Sequence, residues 1–252
     1  MRRIGWFWPA LATLLFALAP TALRADEARD LEREFGVLGR DTAEGRRFND
    51  QLDRVVARMT AATGFRVKSA MILGGRSERR DKVVNAFALP DGRIYVTLGL
   101  LRAIADSPEA DAELAFVIGH ELTHVVERHG KRRARQATTA AIVAGLIGVA
   151  TRDRAVADAA RLGAVAYVTR YSRRDEYTAD RGGLLAMHRA GYPLEAAVSM
   201  LERLKEKGGD RNRFINGLFG THPLTETRMK RIRQLIEEIR AGRTPATSPP
   251  NR

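Results

Sequence analysis

The sequence predicts an α+β domain that is mostly helical, with a small antiparallel sheet ahead of a helix that carries the motif His-Glu-x-x-His. Three observations support this prediction: apolar residues that recur at helical spacing, a short alternating stretch around a Pro-Asp-Gly turn, and the motif itself at residues 120–124. The 252 residues, 44% of them hydrophobic, suffice for one such domain. We place it at residues 27–240, between a leader at 1–25 and a tail at 241–252 that is expected to be disordered.

The leader has the layout of a secretory signal peptide. Arg2 and Arg3 precede an apolar run over residues 4–23, and a polar stretch opens at Asp26. Cleavage is expected after residue 25; because Leu23 is larger than the side chain preferred near a cleavage site, an uncleaved N-terminal anchor is the alternative. The chain has no cysteine, and export without disulfides suits a bacterial periplasm.

The domain opens with a helix, and strands follow. Apolar residues at helical spacing predict a helix over residues 41–63 that stops at Gly64. Alternating residues then predict a strand over 65–73, and the segments 83–89 and 93–98 flank Pro90-Asp91-Gly92, a strong hairpin signal. Together these segments predict a small antiparallel sheet.

The motif lies within the next predicted helix. Ser107 before Pro108 is a typical helix start, and Gly130 is a fitting stop. Between them runs an apolar stripe, formed by Leu114, Val117, Ile118, Leu122 and Val125. We therefore expect the motif to lie mid-helix on a buried or half-buried element, with His129 as a charge near the helix C-terminus.

His120 and His124 form half of a predicted zinc site. Two imidazoles four residues apart lie about one helical turn from each other and can bind one ion. Glu121 between them is placed to take a proton from water at the metal. Because the chain has no thiolate, every ligand must supply nitrogen or oxygen.

The best candidate for the third ligand is Glu176, near the start of a later predicted helix. Asp180 follows one turn later on the same face. A carboxylate in that place can accept a hydrogen bond from the outer ring nitrogen of a ligand histidine and so fix its tautomer. Gly182 and Gly183 would let this helix lie close to the motif helix.

The remaining segments are predominantly helical. His188 is far from Glu176 along its helix, so we expect a structural role for it. The apolar segment 136–150 is expected to be a buried helix or hairpin arm, with a membrane-surface helix as the alternative. Further helices are predicted over residues 153–169, 172–189, 194–207 and 223–240, and a loop over 208–220.

The net charge of +13 raises the question of whether the protein binds nucleic acid or anionic lipid. The densest basic run, residues 131–135, has no interleaved aromatic residues, so a solvated face is favoured over nucleic-acid binding, which we do not expect. Together with the apolar segment that follows, residues 131–150 are a candidate for peripheral contact with lipid headgroups.

Four motifs in this order resemble one enzyme family. They are His-Glu-Leu-Thr-His at 120–124, Glu-Tyr-Thr-Ala-Asp at 176–180, the stretch Asn-Ala-Phe-Ala-Leu-Pro-Asp-Gly that begins at residue 85, and Thr-His-Pro-Leu-Thr-Glu-Thr-Arg at 221–228. The chain resembles the HtpX and BepA relatives of the prenyl-protein zinc peptidases, metallopeptidase family forty-eight.

The resemblance implies a zincin-type fold and a set of site residues. One zinc ion would lie on His120, His124 and Glu176, with Glu121 as general base and acid and Asp180 as support. The strand Arg93–Leu98 would be an edge strand that pairs with an extended peptide by β-augmentation. Its residues are Arg93, Ile94, Tyr95, Val96, Thr97 and Leu98.

His222 has two alternative roles under the same resemblance. It could stabilise the oxyanion of the tetrahedral intermediate, or it could fill the fourth zinc position and leave a latent enzyme. A third alternative is a helix-cap residue ahead of Pro223. Arg228 would lie near the same pocket or form a solvated or structural ion pair.

The expected function is that of an exported zinc metalloendopeptidase. The HtpX branch has clear membrane-spanning helices and BepA-like proteins add helical repeats; neither is evident in this sequence, so a stand-alone exported peptidase is expected. Its substrates would be unfolded or misassembled envelope proteins. The alternative is a chaperone-like outer-membrane assembly factor with a latent or structural zinc site.

Overall fold

A computed structural model describes residues 25–132, 172–207, 222 and 224–243. The helices and strands follow one another as α1 (Ala25–Phe35), α2 (Ala43–Thr63), β1 (Ser69–Leu73), α3 (Glu78–Asp81), β2 (Ala86–Ala88), β3 (Arg93–Thr97), α4 (Leu98–Ile104), α5 (Ala110–Val126), α6 (Arg173–Arg189), α7 (Ala196–Lys207) and α8 (Glu226–Arg240). This order confirms the α+β class, with a small sheet ahead of the motif helix α5.

Helix α1 precedes the helix with which the sequence predicted the domain to open, so that prediction of order is wrong. The bounds of helix α2 agree closely with those predicted for that helix. The Thr42 side chain caps it by accepting a hydrogen bond from the Gly45 N–H at 2.9 Å, and Gly64 ends it in the left-handed conformation at φ 70°. Its buried face consists of Phe48, Leu52, Val55 and Met59, together with Gln51 and Gly45. This face packs on α5, α6 and β1 and so forms one wall around the motif helix.

The sheet is mixed, whereas the sequence predicted it to be antiparallel. Its strand order is β1-β3-β2; β2 and β3 are antiparallel and form the predicted hairpin, but β1 runs parallel to β3. The alternation of apolar residues identifies a strand and its buried face, but it carries no information about the direction of the neighbouring strand. The strand boundaries also contract, since β1 begins at Ser69 and β2 covers only Ala86–Ala88.

The expectation that Arg93–Leu98 is an edge strand is wrong. Strand β3 is the central strand, paired along its whole length with β1 and also with β2, and Leu98 begins helix α4. The edge that lies beside the motif helix belongs to β2, which packs against α5. The outer edge of β1 is partly covered, because the Leu38 N–H donates to the Ile72 carbonyl at 2.9 Å.

Helix α5 is shorter than predicted and more deeply buried. It begins at Ala110, after a turn in which Ser107 Oγ accepts from the Glu109 N–H and donates to Glu113. It ends at Val126, since Arg128 already adopts a left-handed conformation with φ 53°. Every residue from Ala112 to His124 is buried, so the motif lies inside the domain.

Glycines bring α5 and α6 into close contact, as the sequence predicted for Gly182 and Gly183. A Cβ atom on Gly183 would lie 3.1 Å from the backbone nitrogen of His120, and one on Gly182 would lie 2.2 Å from Thr123 Oγ1. Gly119 on α5 approaches Gly183 in the same way, with 3.0 Å between its hypothetical Cβ and the Gly183 Cα. The absence of side chains here lets α6 present its N-terminal half to the motif.

The later helices follow the predicted order. Ser172 caps α6 by accepting from the Asp175 N–H at 3.1 Å, and Thr225 caps α8 in the same manner. Helices α7 and α8 begin two to three residues after the positions predicted for them. The leader, most of the basic run, the predicted helices at 136–150 and 153–169, the loop at 208–220 and most of the tail lie outside the described residues.

The part of the chain that is described contains no helix that is both long and apolar enough to cross a membrane.

Candidate metal centre

The two motif histidines face one point in the interior. His120 and His124 are 4% and 3% exposed, and their Nε2 atoms lie 3.0 Å apart. One turn of α5 separates them, so both rings project from the same face of the helix. The spacing in the sequence therefore produces the arrangement that it predicted.

Glu176 and Asp180 on α6 complete this arrangement. The Glu176 carboxylate lies 3.5 Å from His124 Nε2 and 3.7 Å from His120 Nε2. Asp180 lies on the other side of the His120 ring, with its Oδ1 atom 3.0 Å from His120 Nδ1. The structure thus brings the carboxylates of Glu176 and Asp180 to the two positions that the sequence predicted for a ligand and its supporting group.

The donor set fits a divalent metal ion such as zinc. His120 donates its Nδ1 hydrogen to Asp180, so its Nε2 atom presents a bare lone pair to the Nε2 atom of His124. Burial lowers the pKa of His124 well below its usual range, which keeps this ring neutral. Two lone pairs at 3.0 Å repel each other unless a cation lies between them, and nitrogen and carboxylate oxygen are ligands that zinc accepts.

Glu121 is buried beside this donor set. It is 3% exposed, and within the described residues its Oε1 atom has no hydrogen-bond partner. Burial raises the pKa of Glu121, although the nearby histidines oppose the shift. A carboxylate with a raised pKa and a spare lone pair is suited to accept and return a proton.

His222 reaches the same point from the segment that precedes α8. Its Nδ1 atom lies 2.9 Å from Glu176 Oε1 and 3.2 Å from His120 Nε2, and its Nε2 atom lies 3.4 Å from Glu121 Oε1. Burial disfavours the charged ring, but Glu176 and Glu121 outweigh burial and raise the pKa of His222. The ligand atoms of His120, His124, Glu176 and His222 all lie within 4.8 Å of one another. The interpretation of His222 as a helix cap is wrong, because Thr225 is the N-cap of α8.

Arg228 contacts two acidic residues of α6, Asp180 and Glu176. Its guanidinium group donates two hydrogen bonds of 2.7 Å to Asp180 and one of 3.2 Å to the His222 carbonyl oxygen. Its Nη1 atom also lies 2.9 Å from Glu176 Oε2, without the alignment of a hydrogen bond. The two alternatives for Arg228 are therefore both correct, because it borders the site and forms a buried ion pair.

His129 differs from its prediction as a charge at the C-terminus of the motif helix. It is 1% exposed, and its Nδ1 atom lies 2.8 Å from Nδ1 of His124. Burial lowers the pKa of His129, so it is a poor helix-terminal cation. His188, by contrast, is exposed at the far end of α6 and takes no part in the metal-binding cluster.

An apolar cleft opens beside Glu121, and the sequence reading missed it. Its cavity volume is about 10 Å³, which is about the space of one water molecule. Helices α5 and α7 supply its apolar lining, which consists of Phe116, Val117, Met200 and Leu201. Only the tertiary structure places Met200 here, because its spacing along α7 is that of any core residue.

A helix that carries His-Glu-x-x-His, with a ligand glutamate on a second helix, defines a metallopeptidase site. The chain matches the model of peptidase family M48 over residues 46–236. The chain belongs to this family. The match spans the motif helix, the Glu176 helix and most of α8.

Named relatives support the same class. The mitochondrial metalloendopeptidase OMA1 of Arabidopsis thaliana is 32% identical over 174 residues, which are 65% of this chain and 34% of that protein. A putative beta-barrel assembly-enhancing protease of Vibrio cholerae is 30% identical over 167 residues, covering 62% of this chain and 33% of that protein. The beta-barrel assembly-enhancing protease of Escherichia coli is 28% identical over 166 residues, 62% of this chain and 33% of that protein. The chain thus spans about one third of the length of each of these relatives.

Proposed function

We propose that this protein is a zinc endopeptidase that hydrolyses peptide bonds in unfolded or misassembled proteins of the cell envelope. The observation that carries the proposal is the buried cluster of His120, His124 and Glu176 beside Glu121, whose Oε1 atom accepts no hydrogen bond within the described residues and lies 3.4 Å from His222 Nε2. A purely structural zinc site has no need of such a base.

His120, His124 and Glu176 would hold one zinc ion per chain. When bound, zinc supplies Lewis acidity that activates water and polarises a carbonyl group. Glu121 accepts the proton of the attacking water and passes it to the leaving amine. Arg228 and Asp180 keep the His120 ring in the tautomer that directs Nε2 into the cluster.

The substrate would bind along β2, not along β3. The Leu89 N–H donates to the Arg93 carbonyl, and the Asn85 carbonyl accepts from the Thr97 N–H. In an antiparallel ladder the backbone groups of Ala88 therefore point away from β3. On that side β2 has no strand partner within the described residues. An extended peptide could therefore add there as a fourth strand next to α5.

His222 supports a latent state of the proposed enzyme. A catalytic zinc site has three protein ligands and leaves the fourth position for water. Because His222 Nδ1 lies with the other three ligand atoms, we propose that it closes this position and that His222 must withdraw before water can react. His222 could then stabilise the oxyanion only after it has moved out of the fourth zinc position.

An envelope location is supported by the signal-like leader and by the relatives named beta-barrel assembly-enhancing proteases. Residues 131–150 would provide peripheral membrane contact, and an uncleaved leader would provide an anchor. The alternative function is a chaperone-like outer-membrane assembly factor with a latent or structural zinc site. The observation that favours this alternative is the closed set of four ligands.

Cleavage of unfolded casein by wild type and Glu121→Gln, with zinc content measured in parallel, tests this proposal. We expect both proteins to bind zinc and only the wild type to cleave, because glutamine cannot accept the proton. The exposed Glu109→Gln at the start of α5 is the matched control and should cleave normally.

Equal cleavage by wild type and Glu121→Gln would contradict the mechanism. If the zinc-loaded wild type does not cleave, His222→Ala separates the two functions. Activity released by this substitution would support latency, whereas continued inactivity would support the chaperone-like alternative.

A further inference from the structure

The two ligand histidines differ in what supports their outer ring nitrogens. His120 directs Nδ1 to the carboxylate of Asp180 at 3.0 Å. His124 directs Nδ1 to another imidazole, that of His129, at 2.8 Å. Both supporting side chains are about 1% exposed, so water does not take their place.

The distances determine where the protons lie. His124 directs Nε2 into the cluster as a lone pair, so its proton is on Nδ1 and is donated to His129 Nδ1. His129 must then carry its own proton on Nε2. That nitrogen lies 3.4 Å from Asp175 Oδ1, so each ring directs a hydrogen toward an acceptor.

The backbone around His129 is built to direct this ring inward. Helix α5 ends at Val126, and Arg128 adopts φ 53°, the only positive φ of a non-glycine residue in the described ranges. A left-handed arginine is uncommon and needs support from its surroundings. This turn brings His129 back beneath His124, five residues earlier in the chain.

Asp175 links this arrangement to the second helix. It precedes the ligand Glu176 in the first turn of α6, and Arg132 donates a hydrogen bond of 2.7 Å to its Oδ1 atom. The chain of contacts therefore runs from Asp175 through His129 to His124, while Glu176 approaches His124 from the other side.

We propose that His129 is a positioning residue that fixes the tautomer and orientation of the zinc ligand His124, and that Asp175 orients His129. This inference rests on the zinc site of the proposed function. Outer partners of metal ligands typically contribute about 10- to 100-fold to metal affinity. His129 would thus do for His124 what Asp180 does for His120.

Zinc affinity of the full chain, measured by chelator competition, tests the proposal. His129→Leu removes the acceptor at similar size and should weaken zinc binding about 10- to 100-fold. His129→Asn places an amide oxygen where Nδ1 was and should restore most of this loss. Asp175→Ala should weaken binding less than His129→Leu, and the exposed His188→Leu is the matched control that should bind as wild type.

A Co²⁺-loaded sample provides a readout independent of activity. We expect the visible spectrum of the Co²⁺ form to change in His129→Leu and to return toward that of wild type in His129→Asn. Thermal unfolding of the metal-free proteins shows whether the substitutions act through folding; the proposal expects similar melting temperatures.

Wild-type zinc affinity in both His129→Leu and Asp175→Ala would overturn the proposal. So would equal losses in His129→Leu and His129→Asn together with lowered metal-free stability, since that result means packing and not a hydrogen bond. If His129→Leu does not fold, the test uses His129→Asn and Asp175→Ala. Unchanged zinc affinity and unchanged Co²⁺ spectra in both of these variants would overturn the proposal. A changed Co²⁺ spectrum in Asp175→Ala would support it. A wild type that binds no zinc would instead contradict the proposed function.

Discussion

The helix pair α5–α6 and the three-stranded sheet were predictable from sequence to different degrees. In the helix pair, His120, His124, Glu176 and Asp180 all lie where their spacing placed them. In the sheet, the hairpin at Pro90-Asp91-Gly92 formed, but the direction of β1 and the identity of the edge strand differed. Spacing along a helix determines which residues share a face, whereas strand order depends on contacts between segments distant in the chain.

The largest effect is expected when Glu176, the proposed zinc ligand on α6, is removed. Glu176→Ala should weaken zinc binding about a hundredfold or more, because a direct ligand contributes at least as much as its outer partners. Metal content after dialysis against a chelator measures the effect. The exposed Glu206→Ala on α7 is the control, and unchanged zinc content in Glu176→Ala would mean that another carboxylate is the third ligand.

A methyl group added between α5 and α6 should produce the next largest effect, a loss of folding stability. Gly182→Ala places a Cβ 2.2 Å from Thr123 Oγ1, which is itself bonded to the Gly119 carbonyl. Overpacking of this kind costs about 1–3 kcal/mol in the free energy of unfolding, measurable by urea denaturation. Adding Thr123→Ala should recover part of the loss, since it removes the contacted side chain; no recovery would show that the strain lies elsewhere.

The smallest effect should come from the edge of the sheet. Ala88→Pro removes one N–H group that points away from β3, so the internal ladder is retained while one hydrogen bond to a bound peptide is lost. We expect kcat/KM for an unfolded substrate to fall about two- to tenfold, as for loss of one net hydrogen bond. Ala88→Val keeps the N–H and should retain activity. Wild-type kinetics in Ala88→Pro, at unchanged zinc content, would contradict binding along β2.

Much of the candidate site was predictable because its chemistry is local. The His120–His124 pair is one turn of one helix, and Glu176 with Asp180 is one turn of another. Arg228 and His222 were identified with alternatives left open, because the residues next to them in the sequence do not indicate which helix they approach. His129 was misinterpreted, since an imidazole just beyond a helix has the same local pattern whether it faces water or the core.

The sequence by itself determined the helices, their caps, the hairpin and the ligand spacing. These features follow from periodicity, from capping residues such as Thr42 and Ser172, and from turn chemistry, all of which act over a few residues. Only the tertiary structure decided that β1 runs parallel to β3, that β2 is the edge beside the motif, and that His222 and His129 lie against His120 and His124. The physical reason is that these outcomes depend on packing between segments far apart in the chain, where close contacts such as Gly183 against His120 select one arrangement.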